Sequence, residues 1–303
     1  MSDTLPALWV IMAFAAAGFQ TVRFMLQKLL AGQTLSPTGA TFARFFYSAP
    51  LIVVLLAGFL VHLDAPFPTV SHAFWAQALT GAVAQVVATV CVVTVFTLRN
   101  FVVGVALMKT EVVLSVVVGL ILLGEGVSWP AFGAIGLGVL GVQLLSVPPG
   151  VVGWHLPWNR ATGLGLASGV LFAVSAVCYR GASLQIGSDD PVLRAGVTLA
   201  VVTSAQMTGM ALWLWRRDPG QIAAVWRARR VAFWLGLLSM AGSFSWFLAF
   251  TLQTAAYVKA VGQVELVMGL MASVLFFRER PDAREIGGMA VLCLSIVLLL
   301  LLI

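Results

Sequence analysis

Glu111 and Glu265 each interrupt a long apolar run, in KTEVVLSVVVGLILLGE and in QVELVMGLMASVLFFRE. A carboxylate among apolar side chains is costly when ionised, so it faces a polar cavity, finds a cation or keeps its proton. Two chemistries follow: contact with the amine of a ligand, or carriage of a proton. The structural alternative is a glutamate neutralised by a nearby lysine or arginine that ties helices together. Lys109 precedes Glu111 by two residues, about 200° away around a helix, so the two are not expected to pair locally. Lys259 and Gln263 are four apart and expected to share a face, with Lys259 near enough to its helix start to reach water. Arg23, Arg44 and Arg180 lie a turn or more inside apolar segments; a guanidinium fork there suits a carboxylate, and reaching out to the interface is the alternative. Trp246 and Tyr257 are aromatics placed to close over a ligand, with Phe14 and Phe250 beside them in the same class. Gln20, Gln27, Gln85, Gln206, Gln253, Ser243 and Ser245 offer an uncharged polar lining. Nothing in this set is a catalytic constellation.

The glutamates also reveal how the chain is organised. Of its five glutamates, four form two pairs with the same spacing, Glu111 with Glu125 and Glu265 with Glu279. Around them, Phe96, Thr97, Leu98, Ala106 and Val113 meet Phe250, Thr251, Leu252, Ala260 and Val267 without a gap. The chain is a doubled unit.

The elements that hold these residues must sit in lipid. Hydrophobic residues make up 61% of the chain and charged residues 9%, against about 25% charged in a soluble domain. A bilayer-spanning helix takes about 20 apolar residues, and helices are the way such a run satisfies its own backbone. Ten spans are expected, at 7–30, 39–61, 73–98, 101–123, 128–147, 161–184, 191–215, 231–252, 257–277 and 283–303. No basic residue precedes the first apolar run, so it reads as a membrane helix rather than a cleaved signal. The fold class is therefore all-α and integral to the membrane, with the lipid bilayer as a partner. The net charge of +6 sits largely in short loops, where it sets orientation rather than contacting nucleic acid. Lys28, Arg99, Arg160, the cluster Arg216 to Arg230, Arg278, Arg280 and Arg284 fall in or beside odd-numbered connections, which places those in the cytoplasm and both termini outside.

Five spans per half is an odd number, so the second half runs inverted relative to the first. The boundary falls between 1–150 and 151–303. Inverted repeats with a midplane site are a recurring plan of secondary transporters. The runner-up classes lack their signatures. There is no His-Glu-x-x-His pattern or phosphate-binding loop, no ring of like charge for a channel, and no ATP-binding segment. His62, His72 and His155 do not cluster, and Cys91, Cys178 and Cys293 read as small buried apolar residues. No enzyme activity, cofactor or metal is expected.

With Gly124-Glu125 closing the fourth span and Gly133, Gly136, Gly138 and Gly141 in the fifth, the chain resembles the EamA-type branch of the drug/metabolite transporter (DMT) superfamily. The resemblance covers essentially the whole length. It implies a transporter, in the manner of exporters of amino acids and other small metabolites, in a bacterial inner membrane, with a central cavity and protons as a candidate coupling ion. Three positions depart from the family pattern. Arg278-Glu279 replaces Gly-Glu, and Val112 and Leu266 stand where many members carry proline, so the fourth and ninth spans are expected to be straighter than usual.

Overall fold

Apolar runs bounded by proline and short polar connections become helices because lipid offers no other partner to their N–H and C=O groups. The computed structural model describes residues 5–33, 35–64, 66–98, 108–146, 160–268, 271 and 283–302. The first half contains α1 (Leu5–Gln33), α2 (Pro37–His62), α3 (His72–Leu98), α4 (Glu111–Leu123) and α5 (Trp129–Ser146). Then come α6 (Arg160–Leu184), α7 (Pro191–Arg217), α8 (Pro219–Arg227), α9 (Arg229–Leu252), α10 (Ala255–Gly262) and α11 (Ala283–Leu302). A further helical stretch at 264–268 follows α10. Six helices, α1, α2, α3, α6, α7 and α9, are long and apolar enough to cross a bilayer, and α4, α5 and α11 contain shorter apolar segments.

Local sequence fixes several ends. Ser36 accepts from the Gly39 N–H at 3.0 Å and Asp190 from the Val192 N–H at 2.8 Å, each just ahead of a proline at the first helical position. Proline costs nothing there because that N–H has no helical partner. Gly124 ends α4 in the left-handed conformation, φ 69°, and its N–H and that of Glu125 bond back to Leu120 and Gly119. This glycine-capped stop turns the chain so that Glu125 swings back along the bundle.

Two features differ from ten uniform spans. The arginine-rich interval after α7 forms a helix of its own, α8, which buries Val225 and exposes Trp226. More consequentially, both glutamate-bearing spans are broken. Met108 is helical, Lys109 and Thr110 form a turn, and α4 starts at Glu111. In the second copy α10 ends at Gly262 and Gln263 forms the turn. The same tight i−3 bond marks both breaks: Val112 N–H to Lys109 O at 3.2 Å, and Leu266 N–H to Gln263 O at 3.0 Å. The expectation of straighter helices is thus corrected. No proline is needed, because each break puts a carboxylate in the first turn of a new helix, where the exposed N–H groups favour negative charge. The start of the fourth span (99–107), the boundary at 150 and 151 with His155, and the segment 272–282 with Arg278, Glu279 and Arg280 lie outside the described residues.

Packing is reciprocal between early and late helices. The main neighbour of α1 is α9, and that of α3 is α6; α2 lies on α7 and α9, α4 on α6 and α10, and α5 on α11. Glycine permits the closest of these approaches. A Cβ on Gly81 of α3 would stand 2.6 Å from the Tyr179 ring, and one on Gly141 of α5 would stand 2.8 Å from the Leu292 backbone nitrogen of α11. The connections also meet in a fixed order. The Ser36 N–H, between α1 and α2, donates to Gln221 of α8 at 3.0 Å. The connection between α2 and α3 meets that between α6 and α7, through the Val70–Ile186 antiparallel bridge and a 3.0 Å bond from the Gly187 N–H to the Thr69 carbonyl.

Candidate functional site

At each break a glutamate is buried, 2% exposed for Glu111 and 4% for Glu265. Each meets a lysine from the other side of the molecule. Lys109 Nζ lies 2.5 Å from Glu265 Oε1, and Lys259 Nζ donates to Glu111 Oε2 at 3.1 Å. Lys109 also lies 4.0 Å from Glu111 Oε1. That local approach corrects the expectation of two groups pointing apart, because the turn at Lys109 and Thr110 replaces the helical 200° separation. Lys259 is 8% exposed and ion-paired to Glu111, so it is held inside the bundle at the cavity instead of reaching out to the membrane surface. Gln263, at the break, is instead enclosed close to Gly138 of α5, its amide nitrogen and oxygen both without partners among the described residues. Gly169 of α6 lies directly against Thr110 and the Met108 carbonyl, so a missing side chain admits the first break.

From the glutamates a polar path leads inward. Gln20 of α1 donates to Glu265 Oε2 at 2.5 Å and accepts from the Trp246 indole at 3.0 Å and from Arg23 Nη2 at 3.3 Å. These residues border a cavity where α1, α2, α3, α6, α9 and α10 meet. Arg23 and Arg44 form its cationic wall. Arg44 donates to Ser243 of α9 at 3.1 Å and to Thr89 of α3 at 3.4 Å. Across from them lie Phe172, Phe247 and the stacked rings of Trp246 and Phe250, 5.7 Å apart. The Lys259 ammonium sits 4.7 Å from the Trp246 ring centre, an arrangement that keeps a desolvated cation favourable. Tyr179 and Gln85 complete the floor; Tyr179 donates to the Gly81 carbonyl at 2.9 Å and accepts from Gln206 at 3.1 Å. The cavity measures about 30 Å³, room for about two waters, so the helices are drawn in around it.

Of the residues singled out in the sequence, Arg23, Arg44, Trp246 and Lys259 come together at this cavity with Gln20, Gln85, Ser243 and Phe250. Glu111, Glu265 and Lys109 stand behind it, joined through Lys259 and Gln20. Arg180 does not face it. Its Nε donates to both carboxylate oxygens of Glu125 at 2.7 Å, and its Nη1 donates to the Phe250 carbonyl at 2.7 Å. Tyr257 packs on the apolar core from α10 without bordering the cavity. Sequence reasoning missed Phe172, Ser175, Tyr179 and Ser239. The signal was present as spacing: Phe172, Ser175 and Tyr179 share one face of α6, and Ser239, Ser243, Trp246 and Phe250 share one face of α9. Among the described residues no three His, Cys, Asp or Glu side chains converge as a metal site would require.

Residues 160–301 match the EamA-like transporter family. That family belongs to the DMT superfamily, in agreement with the resemblance read from the sequence. With six long apolar helices and a match to this transporter family over residues 160–301, the chain is an integral, multi-pass membrane protein. A solved crystal structure, described only as that of a protein, aligns with a TM-score of 0.69 at 14% identity, covering 95% of this chain and 99% of that chain. At that identity the likeness is one of fold. No curated protein sequence matches the chain.

Proposed function

We propose that this EamA-like protein is a secondary transporter that exports a small metabolite, an amino acid or a related amphipathic compound. It would work by alternating access between two inverted five-span halves, residues 1–150 and 151–303, in a bacterial inner membrane. The observation that carries this reading is the cavity itself. Its walls come from α1, α2 and α3 on one side of the boundary and α6, α9 and α10 on the other, so rocking one half on the other opens it. The order of the connections supports the inversion. The α2–α3 connection meets the α6–α7 connection at one end, while α8 meets the α1–α2 connection at the other. The breaks at Lys109–Thr110 and at Gln263 supply hinges at equivalent places in the two copies. Protons are the proposed coupling ion, with Glu111 and Glu265 the groups to carry them when a lysine lets go.

The test is saturable flux in proteoliposomes with and without a proton gradient. Candidates come from a metabolite screen by thermal shift on the purified chain. Transport requires the end closed by Val70 and Ile186 to open. In a background without Cys91, Cys178 and Cys293, the Val70→Cys/Ile186→Cys pair should stop flux when oxidised and release it when reduced. Flux that persists through a complete cross-link, or rises without saturating, rejects alternating access.

A further inference from the structure

Resting on the transporter reading, the charges around the cavity narrow the substrate. Among the described residues, six charged side chains are buried, Arg23, Arg44, Lys109 and Lys259 as cations and Glu111 and Glu265 as anions. The two glutamates are taken by the two lysines. Neither arginine has a carboxylate within 4.0 Å among the described residues. Their polar contacts are all with neutral groups, Gln20 for Arg23 and Ser243 and Thr89 for Arg44. Each also lies over a phenylalanine ring, Phe24 at 4.3 Å and Phe45 at 4.8 Å. Among the described residues Arg23 Nη1 is buried without a partner, and so is the hydroxyl of Ser239 on the same cavity. A buried cation normally requires a paired anion. Here the site has two positive charges and open donors, with no carboxylate among the described residues at ion-pair distance.

We infer that the substrate is an organic anion whose carboxylates outnumber its amines, a dicarboxylate or an acidic amino acid being the simplest forms. Its carboxylate lies between Arg23 and Arg44, where planar guanidiniums offer paired N–H donors. Its apolar part lies against Trp246, Phe247 and Phe250. A net-neutral zwitterion would cancel its carboxylate with its own ammonium and leave the two guanidinium charges unbalanced. Inorganic phosphate satisfies the guanidiniums but leaves the aromatic wall unused.

The experiment measures the melting temperature of the full chain in detergent against succinate, glutamate, phenylalanine, choline and inorganic phosphate at equal ionic strength, followed by counterflow in proteoliposomes. Succinate or glutamate should raise it most, and Arg23→Gln and Arg44→Gln should each weaken that binding by about 30-fold or more. Without ligand both variants should melt no lower than the natural chain, since each removes an unpaired buried charge. Arg44→Lys, which keeps the charge and loses the fork, should retain part of the response and serves if a glutamine variant does not fold. A larger rise with phenylalanine, choline or phosphate overturns the assignment. So does a carboxylate response that survives all three substitutions, or no carboxylate response at all. Counterflow separates the two readings. Carboxylate binding without flux rejects transport and leaves the anion site standing, whereas flux of zwitterions alone does the reverse.

Discussion

At the residue scale, the two lysine–glutamate pairs are the most sensitive points in the molecule. Removing one partner of a buried pair leaves the other charge uncompensated, which costs about 3–5 kcal/mol. Glu265→Gln should therefore lower the melting temperature sharply, and adding Lys109→Met should recover most of the loss. A thermal-denaturation double-mutant cycle checks this, and additive losses would show that the 2.5 Å contact does not couple the two groups. The glutamates themselves were legible in the sequence, because their duplicated spacing was improbable by chance. Their partners were not, since Lys109 and Glu265 lie in different halves and nothing local links them. Arg180 illustrates the same limit differently. Its neighbour Tyr179 faces the cavity while Arg180 turns to Glu125, a difference of about 100° around the helix that composition cannot resolve.

At the scale of elements, ends and breaks matter more than the spans. Gly124→Ala should destabilise by about 1 kcal/mol, because a Cβ disfavours the left-handed turn that closes α4. It should also loosen the Glu125–Arg180 contact, which a lower melting temperature in Gly124→Ala than in Gly126→Ala would register. Gly141→Val should cost about 1–3 kcal/mol by overpacking α5 against the α11 backbone, with Gly133→Val as the control, since nothing stands within 4 Å of a Cβ there. The long spans were plain in the sequence because lipid forces long apolar runs into helices. The breaks were not, because neither Lys109-Thr110 nor Gln263 is a helix breaker by type. Each break brings a glutamate to a lysine of the other half, a pairing that shows only once the fold surrounds it. Equally, α8 was read as a polar interval because its arginines mask the apolar face that buries Val225.

At the scale of the whole molecule, orientation is the open quantity. The basic odd-numbered connections predict that a cysteine replacing Arg227, in a chain otherwise without cysteine, resists membrane-impermeant thiol reagents added outside intact cells. Ready labelling would reverse the topology. The pairing of early with late helices has a further consequence, carried by one displaced cation. Lys109 and Gln263 occupy the same position in the two copies, yet the second lysine stands at 259, four residues earlier. A homodimer of the first module alone, lying head to tail, would make two identical bridges, each lysine reaching the opposite acid. In this chain the second lysine stands one helical turn earlier, and among the described residues the buried Gln263 amide has no partner. If the halves rock as proposed, the two lysine–glutamate bridges are chemically different gates, and moving the lysine back, with Lys259→Val and Gln263→Lys together, should bring the two bridges closer in thermal stability in a double-mutant cycle.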